Sequence, residues 1–260
     1  NLGKPVTFTG SQIPLCEPYN DARRTLIMSL IFASRDTITE VCIFFHDRLL
    51  RACRATKVNS HRLLAFDSPN MPPLAQIGIS IEENEHLVLP PARGALRMHP
   101  YVEPRLITVR LVPGFDDAVL QYAIEGARGS GLRALVLQLY GTGNLPSNRD
   151  AMLKILADAT ASGILVVATT QCLAGSVRLG HYAVGHALVD AGVIGGADMT
   201  LEAVTTKLGY LCGRGDLTNE EIAKLMPVSL RGELTPADQL AAPTFPSSFE
   251  RAARRLKSPQ

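Results

Sequence analysis

"LRALVLQLYGTGN", residues 132–144, is the stretch whose reading decides the fold class. Its first part reads as a strand, and it runs into a glycine turn. The same parts recur on either side. Upstream, "LITVRLVP" (106–113) reads as a strand. "FDDAVLQYAIEGARGSG" (115–131) reads as a helix with aspartate near its start and glycine at its end. Downstream, "SNRDAMLKILADATASG" (147–163) reads as a capped helix and "ILVVATTQC" (164–172) as the next strand. Further helices are expected over 182–191, 198–213 and 218–227. Strands alternating with helices imply a parallel sheet with helices on its faces. Ligands of such sheets sit beyond the carboxyl ends of the strands, which points to "TGSQ" (9–12), "YGTGN" (140–144) and "TTQC" (169–172).

The first third of the chain shows the same alternation less regularly. "KPVTFTG" (4–10) reads as a strand ending at Gly10, and Asp21 is placed to cap a helix through 22–34 in which Leu26, Leu30 and Ala33 repeat near the helical period. "EVCIFFH" (40–46) has the unbroken apolar character of a buried parallel strand. "DRLLRACRATKV" (47–58) reads as a short two-stranded excursion around Lys57, "SPNMPPLA" (68–75) as a proline-rich loop, and 77–89 as two further short strands. Residues 90–104 hold four of the 17 prolines and show no periodicity, which marks a boundary. The expected fold class is therefore α/β: a parallel-sheet N-terminal domain (1–90), a linker (91–105), a smaller α/β C-terminal domain (106–240) and a tail (241–260).

Composition narrows the function. The chain has 260 residues, 46% hydrophobic and 19% charged, with a net charge of +2. The lysines and arginines are dispersed, so there is no basic field for nucleic acid. No apolar run approaches the ~18 residues that a membrane-spanning helix needs. Five cysteines at 16, 42, 53, 172 and 212 form no C-x-x-C pair, which fits free thiols in a reducing, cytoplasmic setting. The six histidines form no H-x-x-x-H pair, and P-loop, G-x-S-x-G and metal-ligand patterns are absent. No metal or cofactor is expected.

Several polar groups remain, each with an ordinary reading beside the functional one. Gly10 and Ser11 end a strand and serve either as a plain turn or as a close backbone approach to a ligand. "YGTGN" lacks the third glycine of a dinucleotide fingerprint, and reads as a glycine turn that presents the Asn144 amide. Cys172 has no histidine base nearby in sequence and fits a structural thiol better than a nucleophile. Asp198 sits before a helix, as an N-cap region would. Lys57, in "RATKVNS" (54–60), is either a solvated lysine or a base; Thr56, Asn59 and Ser60 after a buried strand would desolvate the amine in the second case.

Together, "NLGKPVTFTGSQIPL", "EVCIFFHDRLLRACRATKV", "FDSPNMPPLA", "LRALVLQLYGTGN", "TTQC", "AGVIGGADMTLEA" and "LRGELTP" resemble the cytosolic, type I L-asparaginases, in order and spacing, from residue 1 to about 238. The resemblance implies hydrolysis of L-asparagine to aspartate and ammonia by homodimers or homotetramers, through a threonine nucleophile and without metal or cofactor. In that scheme a lysine and an aspartate activate a second threonine, and water resolves the acyl-enzyme. Lys57 falls on that lysine with Thr56 beside it, Ser11 falls where the strand end borders the substrate, and Asn144 falls in the turn that reaches toward a neighbouring subunit's site. A lysine serves as base only when held neutral, and a carboxylate orienting it gives a triad logic without histidine.

The departures matter as much. The family's T-G-G-T segment, with the nucleophile, and its D-T segment, with the second threonine and the aspartate, do not occur in these 260 residues. The expectation is that the N-terminal domain is incomplete here and that this chain alone does not turn over asparagine. "CEPYNDARR" (16–24) keeps only Asp21 of the family's usual R-S-D-G sequence. Some type I enzymes bind a second, allosteric asparagine through an arginine, a threonine and a cysteine. Thr170 and Cys172 match two of these, but Gln138 stands at the arginine's position and lacks its charge-assisted grip on a carboxylate. The other reading is an inactive asparaginase-like module that binds or scaffolds, for example through "FERAARRLK" (249–257), or a relative of family members named lysophospholipases.

Overall fold

A computed structural model describes residues 2–145, 150–179 and 183–239. The first strands are β1 (Val6–Thr9), β2 (Val41–Phe45), β3 (Arg48–Arg51), β4 (Thr56–Lys57), β5 (Phe66–Asp67), β6 (Ala75–Ile77) and β7 (Ile81–Glu83), with helix α1 (Ala22–Ala33) between β1 and β2. They form a five-stranded sheet in the order β1-β2-β3-β6-β7 and a two-stranded ladder of β4 with β5. Only β1 and β2 are parallel; every other pair is antiparallel. The expectation of a parallel sheet thus holds for one strand pair of the N-terminal domain. The reason is local: His46 and Asp47 alone join β2 to β3, with His46 at φ 59°, and a parallel crossover needs a dozen residues or more.

Two details of α1 correct the sequence reading. Its repeated Leu26 and Leu30 face outward, 49% and 62% exposed, while Thr25, Ser29 and Phe32 are buried. The hydroxyls can be buried because each satisfies itself on the preceding turn: Thr25 donates to the Asp21 carbonyl at 2.8 Å and Ser29 to the Thr25 carbonyl at 2.7 Å. Asp21 makes no side-chain cap bond. Its carboxylate instead accepts from the backbone N–H groups of Gln12 (3.1 Å) and Ile13 (3.0 Å).

The C-terminal domain follows the expected alternation. It comprises β8 (Leu106–Arg110), α2 (Asp117–Arg128), β9 (Ala134–Leu139), α3 (Asp150–Ala161), β10 (Leu165–Thr170), α4 (Ala183–Asp190), β11 (Ile194–Gly195), α5 (Leu201–Gly213) and α6 (Asn219–Leu225). The sheet order is β11-β10-β9-β8, all parallel. Side chains alternate across β9: Leu135, Leu137 and Leu139 pack with α2, α3 and α4, whereas Ala134 and Val136 pack with α5 and α6. That two-sided burial is why residues 134–137 are all apolar. Asp116, Thr200 and Thr218 cap α2, α5 and α6, the last with a complete capping box to Glu221. The 147–149 start of the third expected segment, residue 182 of the fourth, and the 241–260 tail lie outside the described residues. Among the described residues no helix is long and apolar enough to cross a membrane.

The two sheets are joined through residues 101–103, which run against α5. The Glu103 N–H donates to the Gly209 carbonyl at 2.9 Å. A Cβ at Gly213 would stand 2.5 Å from the Tyr101 carbonyl oxygen, a backbone atom that cannot swing away. Gly213→Ala is accordingly expected to cost about 1–3 kcal/mol by overpacking, read as a lower urea midpoint at unchanged slope.

The same segment carries a pH-sensitive pair. Glu103 is buried and accepts from the Arg105 side chain at 2.7 Å through both carboxylate oxygens. Hydrogen bonding to Arg105 outweighs burial and takes the carboxyl from its ordinary 4.5 down to about 2. A folded-state value below the unfolded one means the contribution is present above pH 4.5 and is lost as pH falls toward 2. The stability difference between the native protein and Glu103→Gln should therefore shrink between those limits, measured by denaturation at a series of pH values.

Candidate active site

A cleft of ≈ 280 Å³ opens at the carboxyl end of β1, lined by Gly10, Ser11 and Gln12 of the following loop, by Phe45 and Phe66, and by Lys57. Two of the four substrate-site residues suggested by sequence, Ser11 and Lys57, are thus brought together. The loop is held by a group expected instead to cap α1. The Asp21 carboxylate fixes the backbone at residues 12 and 13, and the Gln12 amide donates to the Arg62 carbonyl at 3.1 Å. A Cβ at Gly10 would meet only Phe45, at an ordinary 3.8 Å, so space at Gly10 does not by itself demand glycine.

Lys57 reaches the cleft because β4 alternates. Its ladder partner is Phe66, and its amine lies 5.8 Å from the centre of that ring, a cation–π contact. Thr56, one residue away, faces the other side, where its hydroxyl donates to Glu202 of α5 at 2.8 Å. Thr56 does not line the cleft. The expected desolvation of Lys57 by its neighbours is also absent, for Lys57 is exposed and those neighbours are engaged elsewhere. The Asn59 side chain accepts from the N–H groups of His61 and Arg62, both at 2.8 Å, and the Ser60 hydroxyl pairs with the His61 ring at 2.7 Å.

The 52–57 segment is held in turn by the C-terminal domain. Arg54, buried just before β4, donates to Asp198 at 2.9 Å, to the Gly232 carbonyl at 2.8 Å and to the Thr235 hydroxyl at 2.9 Å. Asp198 also accepts from the Thr235 N–H (2.8 Å) and hydroxyl (2.6 Å). Asp198 therefore anchors Arg54, and the cap of α5 is Thr200. Asn70, from the proline-rich loop, adds a second tie by donating to the Asp198 carbonyl at 2.8 Å and accepting from the Gly175 N–H at 2.8 Å.

A second group of residues collects at the carboxyl ends of β9 and β10. Gln138 pairs in register with Thr169, and the Thr170 hydroxyl donates to the Gly141 carbonyl at 2.5 Å while accepting from the Cys172 N–H at 3.0 Å. Thr170 thus ties the 140–144 turn to the start of the next loop. Asn144 closes that turn, its backbone N–H and carbonyl both paired with Tyr140, and its residue is exposed, as is Cys172. Gln138, Asn144, Thr170 and Cys172 are thereby neighbours along one sheet end, in the other domain from Lys57. Among the described residues no cluster of three or more histidine, cysteine or acidic side chains could hold a metal ion.

A sheet pair of this kind, with a lysine-bearing cleft at the end of β1, is the arrangement of an α/β protein with its site beyond a strand's carboxyl end. Two family models cover most of the chain: Asparaginase, N-terminal, over residues 1–89, and the Glutaminase/Asparaginase C-terminal domain over residues 105–226. The chain belongs to the asparaginase family. It is similar to L-asparaginase 1 of Escherichia coli strain K12, 45% identical over 238 residues, which span 92% of this chain and 69% of that protein. It is 38% identical over 236 residues to a 60 kDa lysophospholipase of Mus musculus, covering 90% of this chain and 41% of that larger protein. The solved L-asparaginase I of Vibrio cholerae superposes with a TM-score of 0.82 at 40% identity, over 90% of this chain and 69% of that one.

Proposed function

We propose that the protein, in its complete form, hydrolyses L-asparagine to aspartate and ammonia, with Ser11 at the substrate and Lys57 as the amine that takes a proton from the second threonine. The observation that carries this reading is the cleft that joins Ser11 and Lys57, in a chain 45% identical to an L-asparaginase. A threonine hydroxyl attacks the side-chain amide carbon, ammonia leaves, and water releases aspartate from the acyl-enzyme. No metal or cofactor takes part. The reading extends to a homodimer or homotetramer in which the exposed Asn144 turn faces a neighbouring subunit, and to the cytoplasm, a setting with which five unpaired thiols agree.

The similarity to a lysophospholipase supports a second reading, ester hydrolysis of a lysophospholipid. The two separate in one experiment on the protein encoded by the complete reading frame. Ammonia release from L-asparagine, with no free fatty acid from lysophosphatidylcholine, is the expected result. Fatty acid release without ammonia would replace the first reading by the second, and neither product would favour a binding module.

A further inference from the structure

A groove larger than the cleft at Lys57 lies elsewhere on the molecule. It encloses ≈ 480 Å³ between the extended residues 97–99, the outer face of α5 and the 225–233 segment. That volume lies within the roughly 300–1,000 Å³ common for small-molecule sites. Lys207 forms part of its floor and is buried, but its charge is neutralised: its amine pairs with Glu233 and donates to the Met226 carbonyl at 2.8 Å. The remaining charge belongs to arginines. Arg214 is paired with Asp216. Arg97 has no hydrogen-bond or ion-pair partner among the described residues, and Arg231 spends only one side-chain N–H, on the Leu230 carbonyl at 2.7 Å. Between them the walls are apolar: Tyr210, Leu211, Leu225 and Leu230, with Met98, 78% exposed, at the opening.

We propose that this groove binds a single-chain amphiphile, an aliphatic tail bearing one anionic head, either a carboxylate or a phosphate monoester. Two guanidinium groups in excess of local carboxylates match an anionic head and give it a bidentate grip. The leucines and the flexible methionine thioether match an aliphatic tail of variable length. The narrow passage of residues 101–103 over Gly209 and Gly213 holds the 97–99 wall at a set distance from α5. The groove is separate from the cleft at Lys57: Cys53 borders the one and Lys57 the other, at opposite ends of the 53–57 segment. The proposal does not depend on which reaction the cleft performs.

Met98→Trp places a fluorescent reporter at the groove, and these 260 residues contain no other tryptophan. In the complete protein carrying it, octanoate and octyl phosphate, kept below self-association, are titrated against fluorescence and by calorimetry, with octyltrimethylammonium and octanol as controls. One or both anions should give a saturable shift at one site per chain, at least tenfold tighter than either control. Whichever anion binds more tightly identifies the head as carboxylate or phosphate. Arg97→Glu combined with Arg231→Glu, both exposed and checked for folding by circular dichroism, should weaken that binding at least tenfold, and Lys57→Met should leave it unchanged. Binding of the cation or the alcohol as tight as that of the anions, no saturable binding by either anion, or full affinity in the doubly substituted protein would overturn the proposal.

Discussion

Arg54→Met is expected to lower the free energy of unfolding by about 3–5 kcal/mol, the largest stability effect anticipated for a single substitution in this protein. The side chains of Arg54 and Asp198 are each 5% exposed, so removing the guanidinium leaves a carboxylate buried with only Thr235 as partner. The loss is more than one ion pair, because Arg54 also satisfies the Gly232 carbonyl. Methionine matches the length of the stem without replacing any donor. Thermal or urea denaturation measures the effect. A change under about 1 kcal/mol would place Arg54 among ordinary surface ion pairs and contradict its burial. The Arg54→Met, Asp198→Asn pair should recover part of the loss, since the stranded charge is then gone.

Lys57→Met, in the complete protein, should reduce turnover of asparagine by a factor of about 10²–10⁴, the usual worth of a positioned proton acceptor. Stability should change little, because Lys57 is exposed and its one described interaction is the contact with Phe66. Lys57→Arg distinguishes the proposed role from a purely electrostatic one. Guanidinium preserves the positive charge and the contact with the ring but stays protonated, so it cannot accept the proton. If the base role is right, arginine fails as methionine does. Ammonia release by the arginine variant at near-native rate would remove Lys57 from that role while leaving the cleft intact.

Much of the C-terminal domain was legible in sequence, because a strand buried on both faces and a capped helix each write a local pattern. Leu135, Val136 and Leu137 had to be apolar to enter two cores at once, and Thr218 with Glu221 closes a cap within one turn. The N-terminal sheet was less legible. Its antiparallel order depends on β3 meeting β6, and nothing within "RLLR" specifies that partner. The helix α1 was found, but its inward face was not, since buried hydroxyls that bond to their own helix imitate a polar surface. In the cleft, the segment of Lys57 stood out by resemblance, whereas the opposite directions of Thr56 and Lys57 emerged only with the pairing of β4 and β5.

Two aspartates separate what each level decided. Asp21 and Asp198 both precede helices, and the sequence rightly marked the helices while assigning the carboxylates to their caps. A cap is a contact within about three residues, so it can be read from the chain. The structure gives Asp21 to the loop that carries Ser11, and Asp198 to an arginine 144 residues away. By itself the sequence determined the family, the alternation of strand and helix, and the lysine at issue. Which carboxylate holds which segment, and so where Ser11 and Lys57 stand relative to one another, was decided by packing, because a buried charge takes the partner that the folded chain brings to it.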